Sequence, residues 1–276
     1  MSKYKIFFVL IIGLWVILFY SLQARDKNLS VYFLDVDQAD AILLRTPQGI
    51  NILVDGGADN ALLYQVSEHL PWWDRTVDYV IITHFHDDHY MGLVELARKY
   101  KIKNIIVPKV AGHGPLYDAW LEVLAEKNLK IEEAAVGQRY DLGQGIVWQI
   151  LMAQGGEPKD LNQSSVVIKF SNQTIDFLLM GDLPSGEETY LLQSGFDLSA
   201  EILKVGHHGS RYSSSDDFLE TVNPDLCVIE SGKDNRFGHP HQEAITRLKK
   251  VGCDIKNTQD SGTISVFSDG YKWWVK

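Results

Sequence analysis

The sequence predicts an α/β fold in which two sheets pack face to face, with helices on their outer faces. The chain of 276 residues contains two successive sets of short, apolar strands. Helical segments, whose apolar residues recur at spacings of three and four, interleave with both sets. This alternation is typical of layered α/β domains. No internal repeat and no linker divides residues 30–276, so we expect one domain there.

The N-terminal segment differs from the rest of the chain. Two lysines precede an uncharged apolar run over residues 6–20, which reaches the lower length limit of a membrane-spanning helix when residues 21 and 22 are added. Ala24 fits a signal-peptidase site poorly. We therefore interpret residues 1–24 as a signal-anchor, with a cleaved signal peptide as the alternative, and residues 25–29 as a linker. This predicts a cell-membrane protein with an extracytoplasmic domain, or a secreted one after cleavage.

The first half of the domain begins with strands that tight polar turns separate. Helices are expected where the spacing between apolar residues changes from two positions to three or four positions. The expected strands cover 31–37, 41–46, 50–57, 78–83 and 104–108, and the expected helices cover 60–69, 91–100 and 117–128.

The second half repeats this pattern. The helix at 185–195 has a serine at its start, acids in its first turn and a glycine at its end. The expected strands cover 146–153, 165–171, 174–182, 200–206, 226–231, 262–268 and 271–275, and the other expected helices cover 215–222 and 242–252.

Composition limits the function classes. The net charge of -10 argues against tight, sequence-independent binding of nucleic acid, although a local basic cleft remains compatible with it. Cys227 and Cys253 are the only cysteines. Two cysteines do not make a disulfide framework or a metal site alone, so the redox compartment stays open.

The stretch THFHDDHYMG, residues 83–92, follows an apolar strand and enters a helix. His84 and His86 are two apart in extended chain, so their side chains point to the same side. Asp88 and His89 enter the start of the helix. Imidazole nitrogens and carboxylate oxygens hold zinc, manganese or iron. Four such ligands within six positions favour a metal site over a solvated polar loop.

Further ligand types lie at the ends of other predicted strands. Seven of the nine histidines fall into three clusters: three at 84–89, two at 207–208 and two at 239–241. Asp182 ends a buried apolar strand, where an unpaired carboxylate would be costly. Asp55 follows another strand in LVDGG.

These residues resemble the metallo-β-lactamase superfamily, whose signature HxHxDH is matched by residues 84–89. LLMGDLPSGEE, ILKVGHHGSRYSSSDDFLETVNPD and SGKDNRFGHPHQEAITRL are similar to the hydrolase domain of the ComEC family of DNA-internalisation proteins, as is DVDQADAILLRTPQGINILVDGG. The resemblance covers roughly residues 30–268. It implies a four-layer αβ/βα sandwich with a binuclear metal site at one edge. The long membrane channel of that family has no counterpart in this chain, so the resemblance implies the hydrolase alone.

The resemblance also implies roles for individual residues. His84 and His86 would hold the first metal, and Asp88, His89 and His207 the second. Asp182 would bridge both metals, and Asp55 would orient a ligand histidine by a hydrogen bond.

This sequence departs from the superfamily pattern between the first motif and Asp182. A further histidine ligand is usual there, but the interval offers only His113, and LNQSSVVI, residues 161–168, occupies the expected place. The first metal is therefore expected to be held weakly. Met91 replaces a common glycine and is expected to narrow the mouth of the site.

Two divalent metal ions, Zn or Mn, would lower the pKa of a bound water and polarise the scissile group. We expect Asp88 to accept a proton, and His208 and His241 to donate hydrogen bonds or a proton, with a purely structural role as the alternative for His208. A phosphodiester is the favoured substrate, because cations and polar donors crowd the later motif loops of an acidic chain. The residues expected to contact substrate are Lys204, Ser210, Arg211, Lys233, Asn235, Arg236 and His239.

The sequence thus favours a metal-dependent phosphodiesterase or nuclease acting on DNA, RNA, a nucleotide or an envelope phosphodiester. One alternative is hydrolysis of a lactam, lactone or thioester at the same site. Another is a non-catalytic binding module that keeps the fold. The membrane is the expected partner of the N-terminal helix, and no dedicated protein partner is identifiable.

Overall fold

The computed structural model describes residues 3–23 and 27–276 and contains an eight-stranded and a seven-stranded sheet. The α/β class with two sheets, predicted from the sequence, is confirmed. The residue-24 cleavage position and residues 25 and 26 of the expected linker lie outside the described residues.

The first sheet has the order β15-β14-β1-β2-β3-β4-β5-β6. Strands β3 to β6 run parallel, whereas β14, β1, β2 and β3 pair antiparallel. Its strands are β1 (Leu29–Phe33), β2 (Ile42–Arg45), β3 (Asn51–Val54), β4 (Thr76–Ile81), β5 (Lys101–Val107), β6 (Ile131–Glu133), β14 (Ile264–Ser268) and β15 (Trp273–Val275). Its helices are α2 (Ala61–His69), α3 (Asp87–Lys99) and α4 (Pro115–Glu126).

The second sheet has the order β13-β12-β11-β10-β9-β8-β7. Strands β10 to β13 are parallel. Its strands are β7 (Arg139–Gly143), β8 (Ile146–Met152), β9 (Val167–Asn172), β10 (Ile175–Leu179), β11 (Ile202–Lys204), β12 (Leu226–Ile229) and β13 (Asp254–Asn257). The remaining helices are α5 (Ser185–Gln193), α6 (Asp216–Val222), α7 (Gln242–Lys250), α8 (Thr258–Ser261) and the 3₁₀ turns η1 (Leu161–Ser164) and η2 (Gly206–Gly209).

Three buried clusters define the layers. Phe33, Trp148 and Phe170 belong to the cluster between the two sheets. A second cluster joins the outer face of the first sheet to α2, α3 and α4, and a third joins the second sheet to α5, α6 and α7. The sheets are therefore covered on both faces, as a four-layer αβ/βα sandwich requires.

The N-terminal helix α1 (Lys3–Gln23) precedes the sandwich. Among the residues that the structure describes, we find no helix that combines the length and the apolar character needed to cross a bilayer. The membrane-spanning helix expected within residues 1–24 is therefore not found.

Several elements differ from expectation at their ends. Helix α3 begins at Asp87, four residues before the expected start, so the second half of the histidine motif is helical. Strand β6 was not expected, because all its side chains are exposed and it has no apolar alternation. Strands β7 and β13 were missed for a similar lack of continuous apolar residues.

The two cysteines form a disulfide between β12 and the residue before β13.

Candidate metal centre

The candidate site lies at the carboxyl ends of parallel strands from both sheets. In the first sheet β3 ends before Asp55 and β4 ends before the histidine motif. In the second, β10 ends before Asp182 and β11 before His207. Parallel strands bring their carboxyl ends to one edge, where α/β proteins commonly build ligand sites. This topology unites motifs that lie more than 100 residues apart.

The first two histidines lie side by side. Nε2 of His84 is 3.1 Å from Nδ1 of His86. His84 is fully buried, and burial holds the pKa of its imidazole well below the usual value. The side chain of His86 is partly exposed, and its Nε2 lies 3.8 Å from Asp160. A neutral, buried imidazole is the form that ligates a metal.

Asp55 fixes the orientation of His89. Its carboxylate lies 2.8 Å from Nδ1 of His89 and accepts hydrogen bonds from the backbone N–H and the hydroxyl of Thr83, at 2.8 and 2.7 Å. Nε2 of His89 then points to Asp182, 3.5 Å away. Asp55 therefore contacts the ring nitrogen of His89 that faces away from Asp182, and its orienting role stays a prediction.

Asp182 occupies the middle of the cluster. One of its carboxylate oxygens is 3.5 Å from Nε2 of His89, 3.6 Å from Nε2 of His208 and 3.7 Å from Nε2 of His207. Burial opposes the charged carboxylate, but His208 and His89 outweigh it and hold the pKa of Asp182 well below its usual range. A carboxylate shared by three imidazoles suits the bridging position.

His208 lies among the second set of candidate metal ligands, where the sequence analysis had placed His207. Nδ1 of His208 is 2.8 Å from the carbonyl of Glu230 and 3.1 Å from Asp40. Its Nε2 faces Asp88 at 3.5 Å. Asp88, His89 and His208 can place ligand atoms within 4.8 Å of one another. The geometry therefore groups His208 with the second set of ligands, rather than with groups that contact only substrate.

His207 lies on another side of Asp182, next to Asn162. Nδ2 of Asn162 is 3.5 Å from Nε2 of His207. Asn162 is only 4% exposed, and its side-chain oxygen has no hydrogen-bond partner. It belongs to η1, within the segment that replaces the usual mid-chain histidine. Sequence reasoning noted this segment but did not select Asn162. His113, the other histidine of that interval, is exposed.

Both histidines of η2 have left-handed backbone, with φ of 51° at His207 and 52° at His208. Non-glycine residues rarely adopt this conformation, and it persists where the surroundings enforce it. With this backbone, both consecutive imidazoles approach the same oxygen of Asp182, His207 beside Asn162 and His208 beside Asp88. This strained backbone is the reason that one short turn contributes two imidazoles to the cluster.

A buried charged network, which the sequence analysis missed, supports His208. Asp40 is ion-paired with Lys204, and Glu230 accepts the backbone N–H of Ala41 at 3.1 Å. Asp40, Lys204 and Glu230 are each at most 1% exposed. Lys204 was expected to contact substrate, but its burial excludes that role in this structure. Asp40 lies in DVDQADAILL, a segment that carried part of the resemblance but in which no aspartate was given a role.

The site has the donor set of a binuclear metal centre. Nε2 of His89, Nε2 of His208, Oδ1 of Asp182 and Oδ1 of Asn162 are buried without hydrogen-bond partners. Leaving so many buried polar atoms unpaired is costly unless a ligand completes them. Nitrogen and oxygen donors without thiolate suit Zn or Mn. The residues present therefore fit divalent metal ions, which Asp182 and the histidines around it would hold.

The expected substrate residues occupy different positions. Arg211 is exposed and its guanidinium is 2.9 Å from Glu243. Ser210 is buried and its hydroxyl accepts the backbone N–H of Tyr212 at 3.3 Å. The side chain of Asn235 bonds the backbone of Gly232 and His239, which fixes its own loop.

His239 and His241 lie beside the ligand cluster. The ring of His239 is 5.4 Å from that of His207 and 5.9 Å from that of His208, between centroids. Burial, with His208 and His207 nearby, lowers the pKa of His239 to about 4, so this imidazole is neutral near neutral pH. His241 is more exposed, and its Nδ1 accepts the backbone N–H of Arg211 at 3.2 Å.

Two open cavities border Asp88. One, of about 530 Å³, extends past His86, His113 and Asp160. The other, of about 500 Å³, extends past Met91 to the basic loop that carries Lys233, Arg236 and Phe237. Asp88 therefore lies at the solvent-accessible edge of the cluster.

Comparison with known proteins agrees with this architecture. The family model of the metallo-beta-lactamase superfamily matches residues 34–229. The chain is 27% identical over 256 residues to ComE operon protein 3 of Bacillus subtilis (strain 168), covering 85% of this chain and 32% of the relative. It is also 27% identical over 249 residues to Recombination protein 2 of Haemophilus influenzae. That match covers 88% of this chain and 29% of the relative.

The chain thus spans about a third of the length of these curated relatives. Among solved structures, the metallo-beta-lactamase fold protein YhfI from Bacillus subtilis superposes with a TM-score of 0.58 at 12% identity, covering 90% of this chain and 100% of that one. That likeness concerns the fold. The family model matches most of the chain, the two-sheet sandwich has been observed and the HxHxDH ligands lie together, so the chain belongs to the metallo-beta-lactamase superfamily.

Proposed function

We propose that this protein is a metal-dependent phosphodiesterase that cleaves nucleic acid. The observation that carries the proposal is the ligand cluster around Asp182, which opens at Asp88 into a cavity whose lining includes Lys233 and Arg236 beside Asp37, Asp87 and Asp234. Cations beside a pair of divalent metals suit a substrate with negatively charged oxygens. The likeness to Recombination protein 2 and to ComE operon protein 3 supports DNA as the polymer.

Each residue of the cluster would have a separate role in binding the metal ions or in moving a proton. His84 and His86 would hold one cation, Asp88, His89 and His208 the other, and Asp182 both, with His207 and Asn162 beside it. Two such cations supply Lewis acidity and make a water acidic enough to react near neutral pH. The carboxylate of Asp88, at the open edge, would accept the proton of the attacking water.

The leaving oxygen needs a donor on the opposite side. The ring of His241 lies 4.9 Å from that of His239, between centroids, and its Nδ1 accepts the backbone N–H of Arg211, so its neutral form carries the proton on Nε2 and would offer it to the leaving oxygen. His239, which is neutral near neutral pH, would donate a hydrogen bond to a non-bridging oxygen without adding charge. Arg236 and Lys233 would neutralise the phosphates that flank the scissile one.

The test is a panel of substrates, assayed with added manganese or zinc. We expect cleavage of single-stranded DNA, duplex DNA or both, together with bis-p-nitrophenyl phosphate, and no turnover of a β-lactam. Arg236→Ala removes a charge-assisted contact worth about 1.5–3 kcal/mol, so DNA cleavage should fall roughly ten- to hundredfold. Cleavage of the small diester should fall much less, because it has no flanking phosphates.

Arg98→Ala is the matched control, because Arg98 lies on α3 and pairs with Glu95 outside the cluster. It should leave both activities unchanged. Lactam turnover without diester cleavage would contradict the proposed substrate class and would favour the lactam, lactone or thioester alternative. Absence of both activities in metal-loaded protein would favour a binding module.

We also propose that the domain works outside the cytoplasm. The support is the disulfide between Cys227 and Cys253, because disulfides persist in oxidising compartments and are rare in the cytosol. Alkaline phosphatase fused after Lys276 should therefore be active in cells. An inactive phosphatase fusion beside a fluorescent cytoplasmic reporter fusion would contradict this placement.

A further inference from the structure

Two neighbouring tryptophans of the sandwich are strongly exposed. Trp72 is 82% exposed and Trp73 is 67% exposed. Their rings meet edge to face, with centroids 5.5 Å apart, in the loop between α2 and β4. Isolated exposed apolar residues are ordinary, but two adjacent indoles form a patch of the kind that marks an interaction site.

This loop lies at the sheet edge opposite the metal centre. The parallel strands β3, β4 and β5 begin at this edge, since Thr76 pairs with Lys101 and Ile52 with Tyr79. The metal ligands follow the carboxyl ends of the same strands. A surface that bound the tryptophans would therefore leave the metal centre facing away from it.

The same edge carries positive charge. Arg75 follows the tryptophans, and its carbonyl accepts the backbone N–H of Lys101 at 2.8 Å. Arg45 ends β2 beside Asn51, the first residue of β3. The only acid of the loop, Asp74, is held inward by the side chain of Asn51 and the backbone of Thr76. Of the neighbouring acids, Asp78 is paired with Lys103 and Glu68 accepts the hydroxyl of Tyr64.

The chain enters the sandwich at this edge as well. Ser30 at the start of β1 pairs with Arg45, so residues 27–29 lie at the same end as the tryptophans. The preceding helix α1 exposes Phe7, Phe8 and Trp15, each at least 65%. The point where the chain enters the sandwich thus lies at the edge that carries the tryptophans and the basic residues.

We propose that the edge formed by Trp72, Trp73, Arg75, Lys101 and Arg45 docks on the surface of an anionic phospholipid bilayer. Indole rings favour the headgroup region, where an apolar body and a polar N–H are both accommodated. Arginine and lysine attract anionic headgroups within about a Debye length. This tryptophan-basic edge would hold the sandwich on the membrane, with its metal centre directed into the surrounding solution. The proposal is independent of the hydrolytic activity.

The test is co-sedimentation of the full chain with vesicles of phosphatidylglycerol and, separately, of phosphatidylcholine. We expect stronger binding to phosphatidylglycerol, weakened as NaCl rises from about 50 to 500 mM. The variant Trp72→Ala/Trp73→Ala should bind phosphatidylglycerol vesicles more than tenfold more weakly. The variant Arg75→Glu/Lys101→Glu should lose the preference for anionic lipid.

The matched controls are Tyr190→Ala, which removes an aromatic ring 61% exposed on α5, and Lys249→Glu on α7. Both should bind as the unmodified chain does. Equal thermal unfolding and metal content of all variants would show that the fold is kept. Unchanged vesicle binding by both edge variants would overturn the proposal, and so would binding to cell-wall polysaccharide in the absence of vesicle binding.

Discussion

Asp182 is the residue on which the candidate centre depends most. It faces His89, His207 and His208 at 3.5 to 3.7 Å, so it can serve cations on both sides. Asp182→Ala should therefore lose both metal ions together, whereas His84→Ala should weaken mainly one. Elemental analysis of protein purified without chelator should find about two ions per unmodified chain.

Asp176→Ala is the control for that change, because Asp176 pairs with Lys169 on strands away from the centre. It should keep the full metal content. Retention of both ions by Asp182→Ala would show that this carboxylate does not bridge.

The Asp40–Lys204 pair predicts a stability effect at the same scale. Asp40→Leu leaves the ammonium of Lys204 buried without its partner, which should lower the free energy of unfolding by about 3–5 kcal/mol. Replacing both residues, as Asp40→Leu/Lys204→Met, removes the unpaired charge. The double variant should therefore be more stable than Asp40→Leu alone.

Urea unfolding of metal-free protein measures this difference without the contribution of bound ions. If the double variant were less stable than Asp40→Leu, the ion pair would not explain the loss of stability.

The same pair also shows which site residues the sequence could not predict. His84, His89 and Asp182 were found by their clustering at strand ends. Glu230 is a single acid in an apolar segment and Asp40 is one of three aspartates in DVDQAD, and only the packing of the two sheets shows that they meet Lys204 and His208.

At the scale of elements, the turn η2 depends on Gly209. A Cβ at this glycine would lie 2.7 Å from Cβ of Pro240, and its φ of +78° is one that L side chains rarely adopt. Gly209→Ala should therefore cost about 2–4 kcal/mol of stability, from left-handed strain and overpacking together. It should also weaken metal binding, because His207 and His208 precede it directly.

A substitution at Gly238 distinguishes backbone strain from overpacking. Its φ is +71°, but a Cβ there would meet nothing within 4 Å. Gly238→Ala should thus cost only about 1 kcal/mol, from backbone strain alone. Thermal unfolding compares the two variants directly, and equal losses would show that contact with Pro240 has no part.

The elements themselves were predictable to different degrees. The buried strands β10, β11 and β12 consist mostly of apolar residues, which the sequence shows plainly. Strand β6 is exposed along its length and owes its conformation to pairing with β5. No local pattern reports such pairing, since it depends on the neighbouring strand. The start of α3 was also missed, because His86 caps it without a side-chain hydrogen bond.

At the scale of the whole molecule, the disulfide joins two neighbouring strands of the second sheet. Cys227 and Cys253 are 26 residues apart. Their pairing was not predicted, because two cysteines in a sequence do not reveal that β12 and β13 lie side by side. Closing a loop of this length restricts the unfolded chain, so Cys227→Ala/Cys253→Ala should lower the free energy of unfolding by about 3–4 kcal/mol. Urea unfolding of the oxidised chain and of the variant measures this, and equal stabilities would contradict it.

The two-sheet architecture explains how distant motifs become one site. Asp55 and His89 belong to the first sheet and its helix, whereas Asp182 and His208 follow strands of the second. The centre therefore lies across the line where the two halves of the chain meet. The sequence identified most of the ligand candidates, but the division of His207 and His208 between two positions required the left-handed backbone of η2.

The central claim is a two-metal centre that cleaves phosphodiesters. Titration of metal-free chain with manganese or zinc, followed by the rate of bis-p-nitrophenyl phosphate cleavage, tests it most directly. The account predicts that the rate rises until about two equivalents are bound per chain, and that Asp182→Ala shows no such rise. Diester cleavage that is independent of added metal, or unaffected by Asp182→Ala, would contradict the account.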